Sequence, residues 1–176
     1  MDPKEMLSLF KNRISCRNYS SQIIGEDKIK LLLSAAILAP SSCNRQSVCF
    51  LPLPITDSRH DLLANANYGG LGFAKCAPLL ILVLVDERTY YYPEEKNHPI
   101  SDGALAAGNM MLMASELGLG SCWISWQASA ITKSKIYNEF NLPDYYMPIC
   151  VLAVGYLAER LEPVPRENVE YYRLPL

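Results

Sequence analysis

The chain has 176 residues, 50% of them apolar and 19% charged, which is the balance of a packed globular protein and excludes disorder as its general state. A chain of this length buries roughly 70% of the surface it exposes when unfolded, which predicts one domain over residues 1–176. Sixteen Lys and Arg against eighteen Asp and Glu leave a formal net charge of -2, so no global charge draws the chain to nucleic acid or acidic lipid, and any anion site must be local.

Asp2-Pro3-Lys4-Glu5 sets an acidic cap, a first-turn proline and a glutamate three positions after the cap, and Met6, Leu9, Phe10 and Ile14 follow at helical spacing. A second helix opens at Gly25-Glu26-Asp27, with Ile29, Leu32, Leu33, Ala36 and Ile37 on one apolar face until Pro40 ends it. Residues 47–55 read as a strand whose far end Pro52 and Pro54 confine to an edge or a bulge. Asp57 can cap a short helix reaching Asn65, and Tyr68-Gly69-Gly70-Leu71-Gly72 reads as a flexible connection. Leu79 to Val85 is a central strand. Pro99 to Leu117 is the longest helical pattern, apolar nearly all round and therefore expected to be buried, with Gly118 or Gly120 suited to its end. Residues 121–125 predict a short strand, 132–140 an amphipathic helix and 148–156 a strongly apolar strand, before a polar, extended tail from Glu159.

This alternation predicts a layered architecture of helices and strands without internal repeats. The longest apolar run, Ala77 to Val85, falls short of the roughly 20 residues that cross a bilayer, and the charged start lacks the apolar stretch of a secretory signal, so no membrane association and cytoplasmic residence are expected. Six cysteines without a CxxC pair are expected to be mostly reduced thiols, and only two histidines accompany them, which disfavours a zinc site. The glycines at 69, 70 and 72 lack the spacing and the following helix of a dinucleotide fingerprint.

Three segments carry candidate chemistry. In Arg13-Ile14-Ser15-Cys16-Arg17 the polar members alternate, so an extended backbone projects two guanidinium forks and a hydroxyl to one side, where they suit a phosphate monoester or are simply solvated beyond a helix end. Ala39-Pro40-Ser41-Ser42-Cys43-Asn44-Arg45-Gln46 is rich in amides and hydroxyls, as any helix exit can be, although Arg45 and Gln46 exceed what a turn needs. Gly118-Leu119-Gly120-Ser121-Cys122-Trp123-Ile124-Ser125-Trp126 hands a long helix to a strand with two indoles, which serve either as core or as a wall for a flat ligand.

Taken in order, these segments make the chain resemble the FMN-dependent nitroreductase family. The anchors are Arg13-x-Ser15-x-Arg17, Ala-Pro-Ser-Ser-x-Asn-x-Gln at 39–46, Asp102-Gly103-Ala104, Gly118-Leu119-Gly120-Ser121-Cys122-Trp123, and Gly155-Tyr156 followed by Pro163-x-Pro165-Arg166. The resemblance implies an α+β fold, a central mixed, mostly antiparallel sheet sandwiched by helices, in an intertwined homodimer with FMN sites at the subunit interface. It implies that Arg13, Ile14, Ser15 and Arg17 hold FMN with Arg166 closing on its phosphate. Pro40, Ser41, Ser42, Asn44 and Gln46 would belong to the same site, the loop coming from the other subunit, and Trp123, Ile124 and Ser125 would border the isoalloxazine ring. NADH or NADPH would donate hydride, and a nitroaromatic, a quinone or another electron-poor small molecule would accept it in a ping-pong cycle. Dehalogenation, enone reduction or flavin binding without turnover are the alternatives. No acid, base or nucleophile stands out as catalytic. Ser47-Val48 follows Gln46 where many relatives have Pro and Trp, and the stretch up to Leu79 is short, so covering elements are expected to be reduced, with Tyr90-Tyr91-Tyr92 either a partial lid, a solvated loop or a dimer contact.

Overall fold

Residues 2–66 and 72–167 are described by a computed structural model. Helix α1 (Pro3–Asn12) begins as its capping residues dictate: the Asp2 carboxylate accepts from the Lys4 N–H at 3.2 Å, and Glu5 accepts from the Asp2 N–H at 2.9 Å. None of its residues is buried, and Met6, Leu7 and Phe10 are each about half exposed. Helix α2 (Glu26–Ile37) buries Ile29, Leu32 and Ala36, but Ile37, expected on the same face, is 69% exposed because the helix rolls it past the edge of the core.

Four strands form one sheet in the order β1-β2-β4-β3, namely β1 (Val48–Pro54), β2 (Leu79–Asp86), β4 (Tyr146–Tyr156) and β3 (Leu119–Ser125). Every pairing among them is antiparallel, and the parallel component reduces to an isolated bridge between Ser15 and Ser121. Pro52 and Pro54 lie in an edge strand, where a missing N–H breaks no second ladder.

Strand β2 is apolar without alternation because both its faces are covered. Leu79, Ile81, Val83 and Val85 pack toward α2 and toward helix α5 (His98–Glu116). Leu80, Leu82 and Leu84 pack into a second cluster with residues of the short helices α3 (His60–Ala64) and α4 (Gly72–Lys75) and with Ile136 of α6 (Ala130–Glu139). Each of these fully buried side chains contributes roughly 1.5–3 kcal/mol relative to exposure. Helices thus lie on both faces, as an α+β sandwich requires.

Helix α5 lies against the sheet at Gly103, where an added Cβ would meet Ile149 Cγ1 at 2.6 Å. It ends at Gly118, whose φ of +72° suits glycine, and the Lys28 ammonium donates to the Leu117 carbonyl at 2.8 Å. The expectation that α5 is buried all round is corrected here. One face carries Asp102, Ala106, Ala107, Met110 and Ala114, whereas Ile100 and Leu105 are about half exposed.

Other boundaries shift modestly. Asp57 caps a turn that Arg59 continues into α3, so the helix starts at His60. Gly72 opens α4, and most of the expected glycine connection lies outside the described residues. The tail from Glu159 has no regular structure as far as residue 167. Among the described residues no helix is long and apolar enough to cross a membrane.

Candidate functional site

Arg13 ends α1 with an extended backbone, and residues 13–17 continue beside the edge strand β3. The Cys16 N–H donates to the Ser121 carbonyl at 2.9 Å, which fixes the alternation of the segment: Cys16 is wholly buried, while Ser15 and Arg17 are exposed and Arg13 is half-buried. The close approach depends on Gly120, where a Cβ would stand 2.5 Å from Cys16 Cβ and 2.9 Å from its Sγ. From below, the Tyr19 hydroxyl donates to the carbonyls of Cys16 and Ala153 at 2.7 and 3.2 Å. Among the described residues neither Arg13 nor Arg17 forms an ion pair, and Arg17 is over the Phe73 ring at 5.8 Å. An extended segment held by β3 and by Tyr19 therefore offers two cations without an ion pair among the described residues and a hydroxyl, a donor set suited to a phosphate. Burial pushes the Cys16 and Cys122 thiols up, with Arg17 opposing it, which leaves both poorly suited as nucleophiles.

The second group is the loop between α2 and β1. Ser42 to Asn44 make a single tight turn, and three non-glycine residues, Cys43, Asn44 and Gln46, have φ of +52°, +55° and +51°. All three are exposed. Such backbone persists only where its surroundings hold it. Asp102, 2% exposed on α5, accepts from the Ser42 N–H with both oxygens at 3.0 Å and from Ser42 Oγ at 2.9 Å. Tyr90 donates to the other oxygen of the same carboxylate at 2.6 Å and shares a 2.6 Å hydrogen bond with Ser47 Oγ. Gln46 N–H donates to Ser41 Oγ at 2.9 Å.

A further contact holds the loop through Arg45. Its guanidinium donates to Glu95 at 2.6 Å and lies 5.1 Å from the Tyr90 ring centroid, while Glu95 also accepts from the N–H groups of Tyr91 and Tyr92. Burial alone would raise the Glu95 carboxyl, but these donors, Arg45 first, hold it below the usual range. For Tyr90, burial and then the Asp102 hydrogen bond push the phenol up to about 12. Tyr90 is therefore structural, whereas Tyr91 and Tyr92 are 76% and 66% exposed.

The third group is divided by the strand's alternation. Trp123 is half-buried against the cluster beneath α5 and donates from Nε1 to the exposed Ser125 Oγ at 2.9 Å. Ile124 points the other way, 5% exposed in the opposite cluster, so only its main chain is available to a ligand beside that strand. Ile14 lines a cavity of about 560 Å³ with Gly118, Leu119 and the 157–163 segment. A recess of about 620 Å³ is lined by Phe10, Arg13, Ser101, Ala104, Leu105 and Leu112, on the exposed side of α5. Pro40 is exposed at the end of α2, and Arg166 is exposed without an ion pair among the described residues.

Within one chain the structure thus brings Arg13, Ser15 and Arg17 together, and separately Ser41, Ser42, Asn44 and Gln46. No hydrogen bond joins the two groups among the described residues. Sequence reasoning missed Tyr90 and Glu95 as supports of the loop. Their only available signal was an acid and a phenol in an otherwise polar connection.

The Nitroreductase family model matches residues 10–67 and 54–156. A Methanothermobacter thermautotrophicus protein provisionally named NADH dehydrogenase/NAD(P)H nitroreductase is 27% identical over 155 residues, 88% of this chain and 78% of the relative. An FMN reductase (NADPH) of Bacillus subtilis is 27% identical over 88% of this chain and 67% of its own length. Among solved structures, an FMN-dependent nitroreductase from Clostridium difficile is 29% identical with a TM-score of 0.81, the match covering 97% of this chain and 98% of that one.

Proposed function

The chain belongs to the nitroreductase family, and from that premise we propose that it is an FMN-dependent oxidoreductase acting as a homodimer. It takes hydride from NADH or NADPH and passes it, in a ping-pong exchange, to a nitroaromatic, a quinone or another electron-poor small molecule. When bound, FMN would supply a two-electron carrier. The observation that carries the reading is the extended segment 13–17. Two arginines without carboxylate partners among the described residues and a free hydroxyl stand on a backbone pressed against Gly120.

In this reading Arg13 and Arg17 bind the phosphate through charge-assisted bonds, Ser15 adds a hydroxyl, Ile14 supplies its main chain and Arg166 approaches from the tail. Pro40, Ser41, Ser42, Asn44 and Gln46 come from the other subunit, with Asn44 and Gln46 contributing amides to the edge of the ring. Trp123 and Ser125 border the ring with their side chains, and Ile124 with its main chain. A second copy is supported by the exposed apolar face of Met6, Leu7, Phe10 and Leu105 beside the Arg13 recess.

The test is the visible spectrum of purified protein offered FMN, followed anaerobically on addition of NADH or NADPH. A band near about 450 nm that bleaches with either nucleotide and returns with a quinone or nitroaromatic is the expected result. Protein that binds no FMN refutes the reading.

A further inference from the structure

The loop that carries Asn44 and Gln46 is fastened at both ends to one buried group. Ser42, at its start, gives two hydrogen bonds to Asp102 through N–H and one through Oγ. Ser47, at its end and 4% exposed, reaches the same carboxylate through the Tyr90 hydroxyl at 2.6 Å on each side. Between these points lie Cys43, Asn44 and Gln46 with positive φ, a backbone that three side-chain-bearing residues adopt only when over-determined. Asp102 itself sits in the second turn of α5, which Gly103 seats on Ile149 with no room for displacement. The loop is thus referenced to a helix packed closely on the sheet.

The geometry points to Asp102 and Tyr90 as positioning residues: through the chain Ser42, Asp102, Tyr90, Ser47 they set where Asn44 and Gln46 stand, and so how the flavin ring is held. This deepens the FMN reading and rests on it. Both act through the loop, because the Asp102 carboxylate and the Tyr90 hydroxyl are engaged by Ser42, by Ser47 and by each other. The chemistry of the pair explains why each is needed. Three donor groups, the Ser42 N–H, the Ser42 Oγ and the Tyr90 hydroxyl, converge on the two oxygens of Asp102, and an amide in its place presents one of them with a second donor. Tyr90 links the Ser47 end of the loop to the carboxylate that holds the Ser42 end.

The test compares wild type with Tyr90→Phe, which keeps the ring and its packing, and with Asp102→Asn. Hydrogen exchange of the FMN-free protein reports the loop without any dependence on activity. We expect the Ser42 and Gln46 amides to exchange at least about tenfold faster in both variants, while amides of β2 remain protected. After FMN is added, both variants should show a shifted visible band and midpoint potential. Their kcat should fall by about tenfold or more while KM for the nicotinamide changes little, since a misplacement of about 1 Å suffices for such losses. Unchanged exchange at Ser42 and Gln46 overturns the proposal. So does faster exchange with an unaltered flavin band, potential and kcat, because the loop would then be held for some other reason. If Asp102→Asn does not fold, Tyr90→Phe decides alone. Failure of wild type to bind FMN is a distinct outcome, which removes the FMN reading and this inference with it.

Discussion

Replacing Gly120 by alanine perturbs the proposed phosphate strand without touching any of its polar groups. The new Cβ falls 2.5 Å from Cys16 Cβ and 2.9 Å from Cys16 Sγ, against the roughly 3.5–4.0 Å that two carbon atoms prefer. Residues 13–17 must then retreat by about 1 Å, since Gly120 is fixed in β3 by its pairing with Gly155. A retreat of that size stretches the 2.9 Å bond from the Cys16 N–H to the Ser121 carbonyl to about 3.9 Å, beyond hydrogen-bond range. Overpacking costs about 1–3 kcal/mol and the lost bond about 0.5–1.5 kcal/mol. At about 2–4 °C per kcal/mol for a chain of this size, Tm should fall by about 3–18 °C. FMN affinity, measured by fluorescence titration, should fall with it, because Arg13, Ser15 and Arg17 move together. The closer clash is with Cys16 Cβ, which Cys16→Ala keeps, so that change should rescue only part of the loss, whereas adding Cys16→Gly should restore most of the affinity. A Gly120→Ala protein with unaltered Tm and FMN affinity, or a full rescue by Cys16→Ala, refutes the reasoning.

Phe10→Asp places a carboxylate on the exposed apolar face beside Arg13; sedimentation should show a shift from dimer to monomer, with FMN lost in parallel. Tyr90 titrates at about 12, above the ordinary phenol value near 10, so its stabilising contribution is complete below pH of about 10 and is lost as pH rises toward about 12. Tyr90→Phe should flatten that alkaline limb of the stability curve measured by denaturant titration. His60 is 2% exposed and donates from Nε2 to the Ala77 carbonyl, and burial holds its imidazole below the ordinary value. Its contribution is therefore present above pH of about 6.5 and lost below it, and His60→Gln, which can keep the donor, should reduce the fall in Tm between neutral and mildly acidic pH.

Local rules were legible where local forces decide. The capping box of α1 lies within four residues, the stop of α5 needs only Gly118, and the unbroken apolar run of β2 announces a strand covered on both faces. The alternation of Arg13, Ser15 and Arg17 was legible for the same reason, since period two is a property of extended backbone. Contacts over long separations left no such trace. Asp102 is 60 positions from Ser42, and nothing in Cys43 or Gln46 as residue types signals a left-handed backbone. The exposure of Ile100 and Leu105 escaped notice because apolarity marks a residue for burial without saying against which surface.

The strand order has a consequence for synthesis. Strand β2 ends at Asp86, but β4, its neighbour on the inner side, begins only at Tyr146. At about 5–20 residues per second, a ribosome needs roughly 3–12 s to cover the 59 residues between them. For that interval the most apolar segment of the chain has one edge paired with β1 and the other open, with α5 arriving in time to shield a face but not the edge. The prolines of β1 blunt the far side of this nascent hairpin, so the hazard is confined to the single edge that β4 later closes. Chains stalled before Tyr146 are therefore the species a cell must keep from associating, and slower translation lengthens their exposure.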